Sequence, residues 1–500
     1  MANRILLFVA LLTWAAIAAH AQPDAQVTID GAREAARTDH NREAAELFAR
    51  AVIAAPQRRR ELLQEWADQL LYSGRSREAI PIYLEVLQAP RDRDERLRAM
   101  KGLGLAYLWT DQPGRARPLF EGLASEQPQD EDIARNLGRA LSWSGRQRDA
   151  GRHLADHIRR HPQDGEARVQ LAQAQAWMGR PDQSLATLQG VERDDARKLR
   201  AQVQRDIAPR TLLDGQRSTQ SDGLSILAGR AGQSFSVAEG RGSVGARLEY
   251  YYYDRDDGTD SARVTRPIVS GRWRFTDGVE WNGEIGRERI APRGSEVLEF
   301  TPYSTWVTWW PNDTFRFDLS SGRSDFDNLK SLRLGISHRD MGLSMDYTPT
   351  ERYRLTARLQ RSEISDGNRR DMAQLEGEWR WRMHPDIFVG ARYTHFEFAR
   401  QLDNGYFNPL RFDSMLATAR GTWRPVGDDG RWEVTGTVAW GREYAVPEGD
   451  KPAYDVSLRA AYRIDPASRL EFRAQRFSSR TADSAGFARS IFGLTLDRNW

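Results

Sequence analysis

Side chains that could support covalent or metal chemistry are few in this sequence, and their spacing fits no catalytic motif. The chain contains no cysteine, and its 8 histidines form no H-E-x-x-H motif. The run Gly229-Arg230-Ala231-Gly232 lacks the Lys-Ser/Thr that would complete a phosphate-binding loop. We therefore predict that the protein is not an enzyme, with no catalytic residue, no cofactor and no metal site.

Two acidic residues, Glu376 and Glu378, come closest to a catalytic pair, since two carboxylates together hydrolyse glycosidic bonds. They lie within the segment 375–381, in which polar and apolar residues alternate. A period of two places both carboxylates on one face of a β-strand, where such pairs are ordinary in the water-facing wall of a barrel. We therefore interpret them as pore-lining rather than catalytic. The candidate pore-lining residues are Arg380, Glu376, Glu378, Arg358 and Glu433.

Large aromatic residues recur every 34 or 37 residues in the first half of the chain. They are Tyr72, Trp109, Trp143 and Trp177. Each falls at the end of a predicted helix, and two interpretations are open. The rings either fill the seams between neighbouring structural repeats or form an exposed track on which sugar rings stack. Under the second interpretation, these four side chains are the candidate polysaccharide-contacting residues.

The segment that carries these rings, residues 27–206, repeats a helical pattern about every 34 to 37 residues. Each unit has a small residue, a large residue four positions later, an apolar or small residue three after that, and then a proline. The sets are Ala44-Phe48-Ala51-Pro56, Ala79-Tyr83-Val86-Pro90, Ala116-Phe120-Leu123-Pro128 and Ala150-Leu154-His157-Pro162. The pattern resembles the tetratricopeptide repeat (TPR), in which small residues let paired helices approach and proline ends the second helix. We predict a TPR-like α-solenoid over residues 27–206.

The rest of the chain, residues 207–500, alternates polar and apolar residues through many short segments. Tight turns alternate with mostly longer polar loops. Breaks of the same kind recur every ~35–40 residues, which fits hairpins of two ~10-residue strands. Large aromatic residues gather near the strand ends, and the chain stops on Trp500. A soluble β-sandwich would also alternate, but aromatic girdles favour a transmembrane antiparallel β-barrel of about 16 strands.

Predicted inward-facing residues of this barrel carry nearly matched numbers of arginines and carboxylates. They include Arg247, Arg316, Arg354, Arg358, Arg380, Arg392, Arg473, Glu249, Glu280, Glu284, Asp318, Glu376, Glu378 and Glu433. Such a mixed lining fits passage of a neutral or weakly charged polymer, or ion pairs that form across the wall. The loop at residues 402–411 is a candidate plug for the wide lumen.

The first 21 residues predict a secretory signal peptide. Arg4 precedes the apolar run at residues 5–19, and Ala19-His20-Ala21 is an A-x-A cleavage site. A net charge of +3 over 500 residues gives no reason to expect nucleic acid as a partner. We therefore predict a location in the cell outer membrane, with the barrel in contact with outer-membrane lipid and the N-terminal domain in the periplasm.

The order of signal peptide, helical repeats and C-terminal barrel resembles that of the exopolysaccharide-export porins of Gram-negative bacteria. These include the poly-N-acetylglucosamine export porin and the outer-membrane subunit of bacterial cellulose secretion. The repeat turn Trp143-Ser144-Gly145-Arg146 and the loop Gly405-Tyr406-Phe407-Asn408-Pro409 also resemble this group. The chain has fewer repeats than those exporters, and Arg498 interrupts the apolar pattern expected before the terminal aromatic residue. The YaiO-type outer-membrane proteins, which are smaller, are similar as well.

The resemblance implies a porin-like outer-membrane conduit for export of a secreted polysaccharide, as in biofilm formation. The TPR repeats would then dock periplasmic proteins, guide the polymer, or do both. The alternative is a non-transporting outer-membrane scaffold or surface receptor whose barrel anchors the TPR interaction module.

Overall fold

The computed structural model describes residues 25–427, 430–478 and 488–500. The predicted signal peptide, residues 1–21, lies outside these ranges. The described chain is helical from residue 25 to Asp206 and enters its first strand at Arg210. It separates into two compact units: the chain up to Ser144 together with Asp149–Gln170, and Gly145–Arg148 together with Leu171–Trp500.

The helical region consists of consecutive helices joined by short turns. They are α1 (residues 25–37), α2 (Asn41–Ala54), a 3-10 turn (Pro56–Arg58), α3 (Arg59–Tyr72), α4 (Ser76–Gln88), α5 (Arg93–Trp109), α6 (Pro113–Glu126), α7 (Glu131–Trp143), α8 (Gln147–Arg160), α9 (Gly165–Trp177), α10 (Pro181–Thr187) and α11 (Asp194–Asp206). Acidic N-caps begin α5, α7 and α9, since the Asp92, Asp130 and Asp164 carboxylates accept the backbone N–H of Glu95, Ile133 and Ala167. Within the described ranges, no helix has both the length and the apolar character needed to cross a membrane.

The turns that follow α3, α5, α7 and α9 share one backbone conformation. The second residue after each helix has a positive φ, and it is glycine at Gly74 (φ 80°) and Gly145 (φ 82°) but aspartate at Asp111 (φ 58°). Arg75 N–H then donates to Leu70 O at 2.8 Å, which satisfies a helix-end carbonyl as in a Schellman motif. The Gly-Arg pairs at residues 74–75, 145–146 and 179–180 therefore mark the ends of α3, α7 and α9, and Asp111 takes the same place after α5.

The paired helices approach closely at glycines, as the sequence predicts. A Cβ atom at Gly104 of α5 would lie 2.7 Å from the Phe120 ring of α6, and one at Gly138 of α7 would lie 2.6 Å from Leu154 Cδ2 of α8. Phe120 and Leu154 are fully buried. The large residue of each repeat therefore fills space that the small residue of its partner helix leaves open.

The β region is a single antiparallel sheet of 18 strand segments. They are β1 (Arg210–Gln220), β2 (Leu224–Val237), β3 (Gly242–Arg255), β4 (Ser261–Thr276), β5 (Val279–Gly286), β6 (Glu288–Pro292), β7 (Leu298–Phe300), β8 (Tyr303–Trp309), β9 (Phe315–Asp325), β10 (Ser337–Thr350), β11 (Tyr353–Ile364), β12 (Arg369–Arg382), β13 (Asp386–Phe398), β14 (Arg411–Trp423), β15 (Trp432–Val446), β16 (Gly449–Asp465), β17 (Ser468–Phe477) and β18 (Arg489–Asn499). A short helix, α12 (Leu329–Arg333), lies between β9 and β10.

The sheet closes on itself, because β1 pairs with both β2 and β18. The segments β5 and β6 pair with β4 in succession and form one interrupted strand, and β7 with β8 forms another. The barrel therefore has 16 strands, in agreement with the predicted number. Trp500 completes the closure, since its backbone N–H donates to Pro209 O at 2.9 Å and its indole N–H to Thr211 Oγ1 at 2.7 Å.

Polar and apolar side chains occupy opposite faces of the wall, as the alternation predicts. Trp432, Val438 and Trp440 of β15 are exposed on the outside, whereas Ala439 is buried inside. Arg498 also faces outward, next to the apolar Leu494 and Leu496, and its guanidinium lies 4.4 Å from the centre of the Trp500 ring, where a cation–π contact stabilises it. From its polar residues, the break at residues 446–451 is predicted to be one of the longer loops; this is wrong, because only two residues separate β15 from β16.

We expect Gly104→Ala to destabilise the helical repeats by about 1–3 kcal/mol, because the added methyl overpacks the buried Phe120 ring. Gly31→Ala in α1 is the matched control, since its Cβ would meet nothing closer than 3.8 Å. That change should stabilise by up to about 1 kcal/mol through helix propensity. Unfolding of the full chain in detergent, followed by helical circular dichroism, measures both. Equal effects of the two substitutions would contradict the packing described.

We also expect Asp68→Asn to stabilise the repeats at neutral pH but not in acid. Burial raises the pKa of Asp68 from 3.8 to about 6, although Tyr83 O–H donates to its carboxylate at 2.6 Å. The stabilisation by a raised pKa is complete below pH 3.8 and is lost as pH rises through 6. The variant should therefore gain up to about 3 kcal/mol at pH 7 and nothing near pH 3.5. Denaturation at the two pH values checks this expectation.

Candidate functional site

The predicted pore-lining residues occupy the inner face of the barrel wall. Glu376 and Glu378 share a face of β12 with Gln374, which lines the interior cavity. Arg392 donates to Glu376 at 3.0 Å, and Arg420 to Glu378 at 3.2 Å. The structure does not bring the five predicted residues into one cluster; they line neighbouring stretches of the wall.

The other predicted residues divide into paired and unpaired groups. Arg380 donates to Asp386 at 2.8 Å, and Glu433 accepts from Arg424 at 2.9 Å. Arg358 faces the lumen from β11 between Ser344 and Gln374, which carry no charge.

Many charges inside the barrel form ion pairs between strands, some of them across an intervening strand. Arg247 donates to Glu284 at 2.8 Å, and the Arg473 guanidinium pairs with Asp214. Such pairs satisfy each carboxylate in the low-dielectric wall, where an unpaired charge would be costly. The interpretation that lumen charges pair across the wall is therefore confirmed for these residues.

Arg266 is the most heavily engaged inner cation. It lies 2.5 Å from Glu288, 2.9 Å from Asp325 and 3.4 Å from Glu249. Glu288 is fully buried, so water does not reach its carboxylate. Arg266 thereby links its own strand β4 to β3, β6 and β9. This cluster fixes the wall rather than offering a free binding group.

A cavity of about 790 Å³ occupies the lumen and is lined from almost every side of the barrel. Its walls carry amide, hydroxyl and guanidinium groups together with aromatic rings. The polar and aromatic lining residues include Gln216, Arg230, Tyr251, Ser324, Gln360, Arg370, Gln374, Thr394, Ser414, Gln475, Phe477 and Arg489. Amide, hydroxyl and guanidinium groups bind the hydroxyls of a sugar, and aromatic rings contact its apolar face.

Two loops pack inside the end of the lumen that lies opposite Arg210 and Trp500, which we call the far rim. The first loop, residues 326–336, contains α12, and Leu329 and Leu332 are buried against inward-facing residues of β2, β3, β4 and β6. Those residues are Leu224, Ile226, Tyr253, Ala262, Val264 and Ile290. Asn328 caps α12 by accepting the backbone N–H of Ser331 at 2.8 Å.

The second loop, residues 399–410, includes the segment predicted as a plug, and it does pack inside the far rim. Tyr406 is buried with Phe396, Phe398 and Phe412 of the inner wall. Its hydroxyl donates to Asp366 at 2.8 Å and accepts from Asn368 at 3.1 Å. These contacts attach the loop to the connection between β11 and β12.

The two loops also contact each other, and we refer to them together as the plug. Ser331 Oγ donates to Asn404 O at 2.7 Å, and Lys330 Nζ lies 2.7 Å from the Asp403 carboxylate. The Phe326 and Tyr406 rings stack with centroids 4.4 Å apart. The first loop of the plug, residues 326–336, was not predicted from the sequence. Its signal was the Asn328 cap followed by leucines at positions 329 and 332, one helical turn apart.

The candidate polysaccharide-contacting rings are half exposed in the helical repeats. The exposed fractions are 58% for Tyr72, 52% for Trp109 and 47% for Trp143, each at the end of the first helix of its repeat. Trp177, at the equivalent end of α9 in the second unit, is 51% exposed. Each ring therefore keeps about half of its surface accessible to solvent, and both interpretations of the rings, as filling between repeats or as a sugar-binding track, stay predictions.

Within the second unit, residues 145–148 and 178–183 contact turns at the rim that carries Arg210 and Trp500, which we call the near rim. The Arg148 backbone N–H donates to both carboxylate oxygens of Asp313 at 3.0 Å. Arg180 pairs with Asp277 in the turn between β4 and β5. A Cβ atom at Gly179 would lie 3.1 Å from the Arg274 guanidinium, so only glycine fits there without displacement. These two segments of the second unit are thereby fixed to the near rim.

The chain thus combines TPR-like helix pairs with a closed barrel of the outer-membrane type. No family model matches the sequence, and no curated protein matches it. Among solved structures, it is similar to a "Bacterial polysaccharide outer membrane secretin", with 12% identity and a TM-score of 0.49 over 59% of this chain and 99% of that one. It is also similar to Pseudomonas aeruginosa OccK7 (OpdD), with 11% identity and a TM-score of 0.32 over 58% of this chain and 98% of that one. MamA from Desulfovibrio magneticus RS-1 is similar to 35% of this chain over 95% of its own length, with 15% identity and a TM-score of 0.30.

Proposed function

We propose that the barrel is an outer-membrane conduit through which a polysaccharide leaves the cell, with the helical repeats on the periplasmic side. The lumen carries the proposal. Its cavity of about 790 Å³ is ringed by hydrogen-bonding and aromatic side chains of types that bind sugars. A barrel that serves only as an anchor needs no such lining, because salt bridges or apolar packing would fill its interior equally well.

The plug fits a conduit that is closed when idle. It consists of two loops that fold back into the far rim, and noncovalent contacts hold them there. Loops of this kind are the usual mobile elements of a barrel, since the strands are fixed by their ladder of hydrogen bonds. Opening would separate the loops and leave the wall intact.

The repeats would supply the periplasmic half of the function. Solenoids of helix pairs present extended surfaces to partners, and the half-exposed rings of Tyr72, Trp109 and Trp143 lie at the same point of successive repeats. Such rings stack on the apolar faces of sugars or insert into a partner protein. We propose that they receive the polymer or the protein that delivers it.

The plug also favours a second candidate function, a non-transporting scaffold or receptor whose barrel anchors the repeats. In that case the plug would be a permanent structural filling, and the far-rim loops would form the surface that faces outside. The two functions differ in whether ions pass when the plug is released.

We expect a reversible block of ion conductance when the plug is cross-linked. Ser331→Cys with Asn404→Cys places one thiol on each loop, beside the 2.7 Å hydrogen bond from Ser331 Oγ to the Asn404 backbone carbonyl, and the chain has no other cysteine. In planar bilayers, the reduced double variant should conduct in bursts, and mild oxidation should abolish the current until a reductant is added.

A second variant gives the same test without cross-linking. Tyr406→Ala removes the stacking on Phe326 and the hydrogen bonds to Asp366 and Asn368, so it should raise the open probability several-fold. Tyr444→Ala is the matched control, because Tyr444 is exposed on the outer face of β15. A folded barrel that stays silent in every variant would contradict the conduit and favour the scaffold.

We expect the exposed rings to contribute to carbohydrate binding. Trp109→Ala with Trp143→Ala should weaken binding of the full chain to soluble polysaccharides by about tenfold or more, since stacked aromatic contacts contribute about 1 kcal/mol each. Ile53→Ala is the control, as Ile53 is an exposed apolar residue at the end of α2. Affinity electrophoresis across neutral and acidic polysaccharides measures the effect. Unchanged mobility shifts in the tryptophan variant would assign the rings to a protein partner.

A further inference from the structure

Two lumen-facing arginines of β11 lack the ion pairs that many of the other inner charges form. Arg354 and Arg358 share one face of the strand, and Tyr353 and Leu359 on the opposite face are exposed to the outside. They are four residues apart, which is about 13 Å along a strand. Arg358 lies opposite Ser344 of β10 and Gln374 of β12, and Arg354 lies opposite Glu378.

The carboxylates within reach of these arginines are already engaged by other groups. Glu376 accepts two hydrogen bonds from Arg392, and Glu378 accepts from Arg420. Asp346 of β10 accepts from Thr356 Oγ1 at 2.6 Å. Within residues 25–427, 430–478 and 488–500, neither Arg354 nor Arg358 forms an ion pair or a side-chain hydrogen bond.

The other arginines nearby already pair with the neighbouring carboxylates, so these carboxylates do not compensate the charges of Arg354 and Arg358. The Arg380 and Arg420 guanidinium groups lie 5.1 and 4.5 Å from the centre of the Phe388 ring of β13, and each also pairs with one carboxylate. On this sector of the wall, Glu376, Glu378 and Asp386 each pair with one arginine, and Asp318 and Asp346 share Arg316. Arg354 and Arg358 pair with none of these carboxylates. An uncompensated cation in a water-filled lumen attracts anions, and low-dielectric walls strengthen the attraction.

We propose that Arg354 and Arg358 form an anion-binding step in the lumen and that the exported polymer is an acidic polysaccharide, which carries carboxylate, sulfate or phosphate groups. This inference rests on the proposed function and names the class of its substrate. The separation of the two arginines lets them hold successive acid groups of one extended chain. It also revises the expectation of a neutral or weakly charged polymer, which was based on the balance of all inner charges and not on their pairing.

The test uses the full chain in detergent and two probes, fluorescent dextran sulfate and neutral dextran of the same length. Wild-type protein should bind dextran sulfate more tightly than neutral dextran, and added salt should weaken the binding. Arg354→Gln with Arg358→Gln should weaken dextran sulfate binding by about tenfold, the size expected when two solvent-exposed charge contacts are lost. The substituted side chains break no ion pair, so the barrel should retain its heat-modifiable mobility on gels.

Arg361→Gln is the matched control, since Arg361 lies on the outer face of the same strand and pairs with Asp371 at 2.7 Å. It should leave both probes unaffected. Equal binding of the two dextrans, or a double variant that binds dextran sulfate as the wild type does, would overturn the proposal.

Reversal potentials in a KCl gradient, measured on the Tyr406→Ala background, separate this inference from the conduit. A preference for chloride that falls in the Arg354→Gln/Arg358→Gln variant supports both. A current without anion preference leaves the conduit standing and overturns the arginine site. A silent barrel that still loses dextran sulfate binding in the double variant supports the arginine site and removes the conduit.

Discussion

The pairing of β1 with β18 is the constraint on which the rest of this molecule depends. In lipid, every backbone N–H and C=O must find its partner within the protein, and an open sheet would leave two edges unpaired. The eleven residue pairs from Arg210↔Asn499 to Gln220↔Arg489 remove both edges at once. Once the sheet is closed, each side chain faces either lipid or the interior, and the period of two in the sequence follows from that choice.

Closure also governs the interior. Polar side chains that face inward need partners, and the wall supplies them as cross-strand pairs such as Arg392 with Glu376 and Arg247 with Glu284. Two kinds of inward residue depart from this arrangement, namely apolar residues and cations without partners. Inward apolar residues near the far rim, such as Val264 and Phe412, require a cover, and the plug provides it. Inward cations without partners, such as Arg358, leave a charge available to a ligand.

Much of this architecture could be predicted from the sequence because it rests on short-range periodicity. The faces of β12 and β15, the number of strands and the close packing at Gly104 and Gly138 all follow from spacings of two, four or about 34 residues. The plug could be predicted only in part, since α12 is five residues long and is stabilised by strands distant in sequence. The exposure of Trp109 and Trp143 could not be predicted, because buried and exposed rings at a helix end have the same spacing.

The four consecutive tyrosines Tyr250–Tyr253 lie on different faces of one strand, which the sequence alone does not make obvious. All four rings could belong to an interfacial girdle, but the strand divides them: Tyr250 is exposed outside, whereas Tyr253 is buried inside. The Tyr253 hydroxyl donates to Asp327 of the plug at 2.7 Å. The inward position of Tyr253 therefore indicates that part of the chain packs inside the far rim.

The way the plug is attached bears on whether it could open. Leu329 and Leu332 fix α12 to the β2–β6 side of the wall, and burial of each leucine contributes about 1.5–3 kcal/mol. Tyr406 fixes the other loop near Phe396 and Phe412. Between the loops there are one hydrogen bond, one exposed ion pair and one stacked ring pair. The hydrogen bond, the ion pair and the stacked rings together amount to about 1–4 kcal/mol, less than burial of the two leucines of α12. Separation of the loops with α12 left on the wall is therefore less costly than release of α12 from the wall.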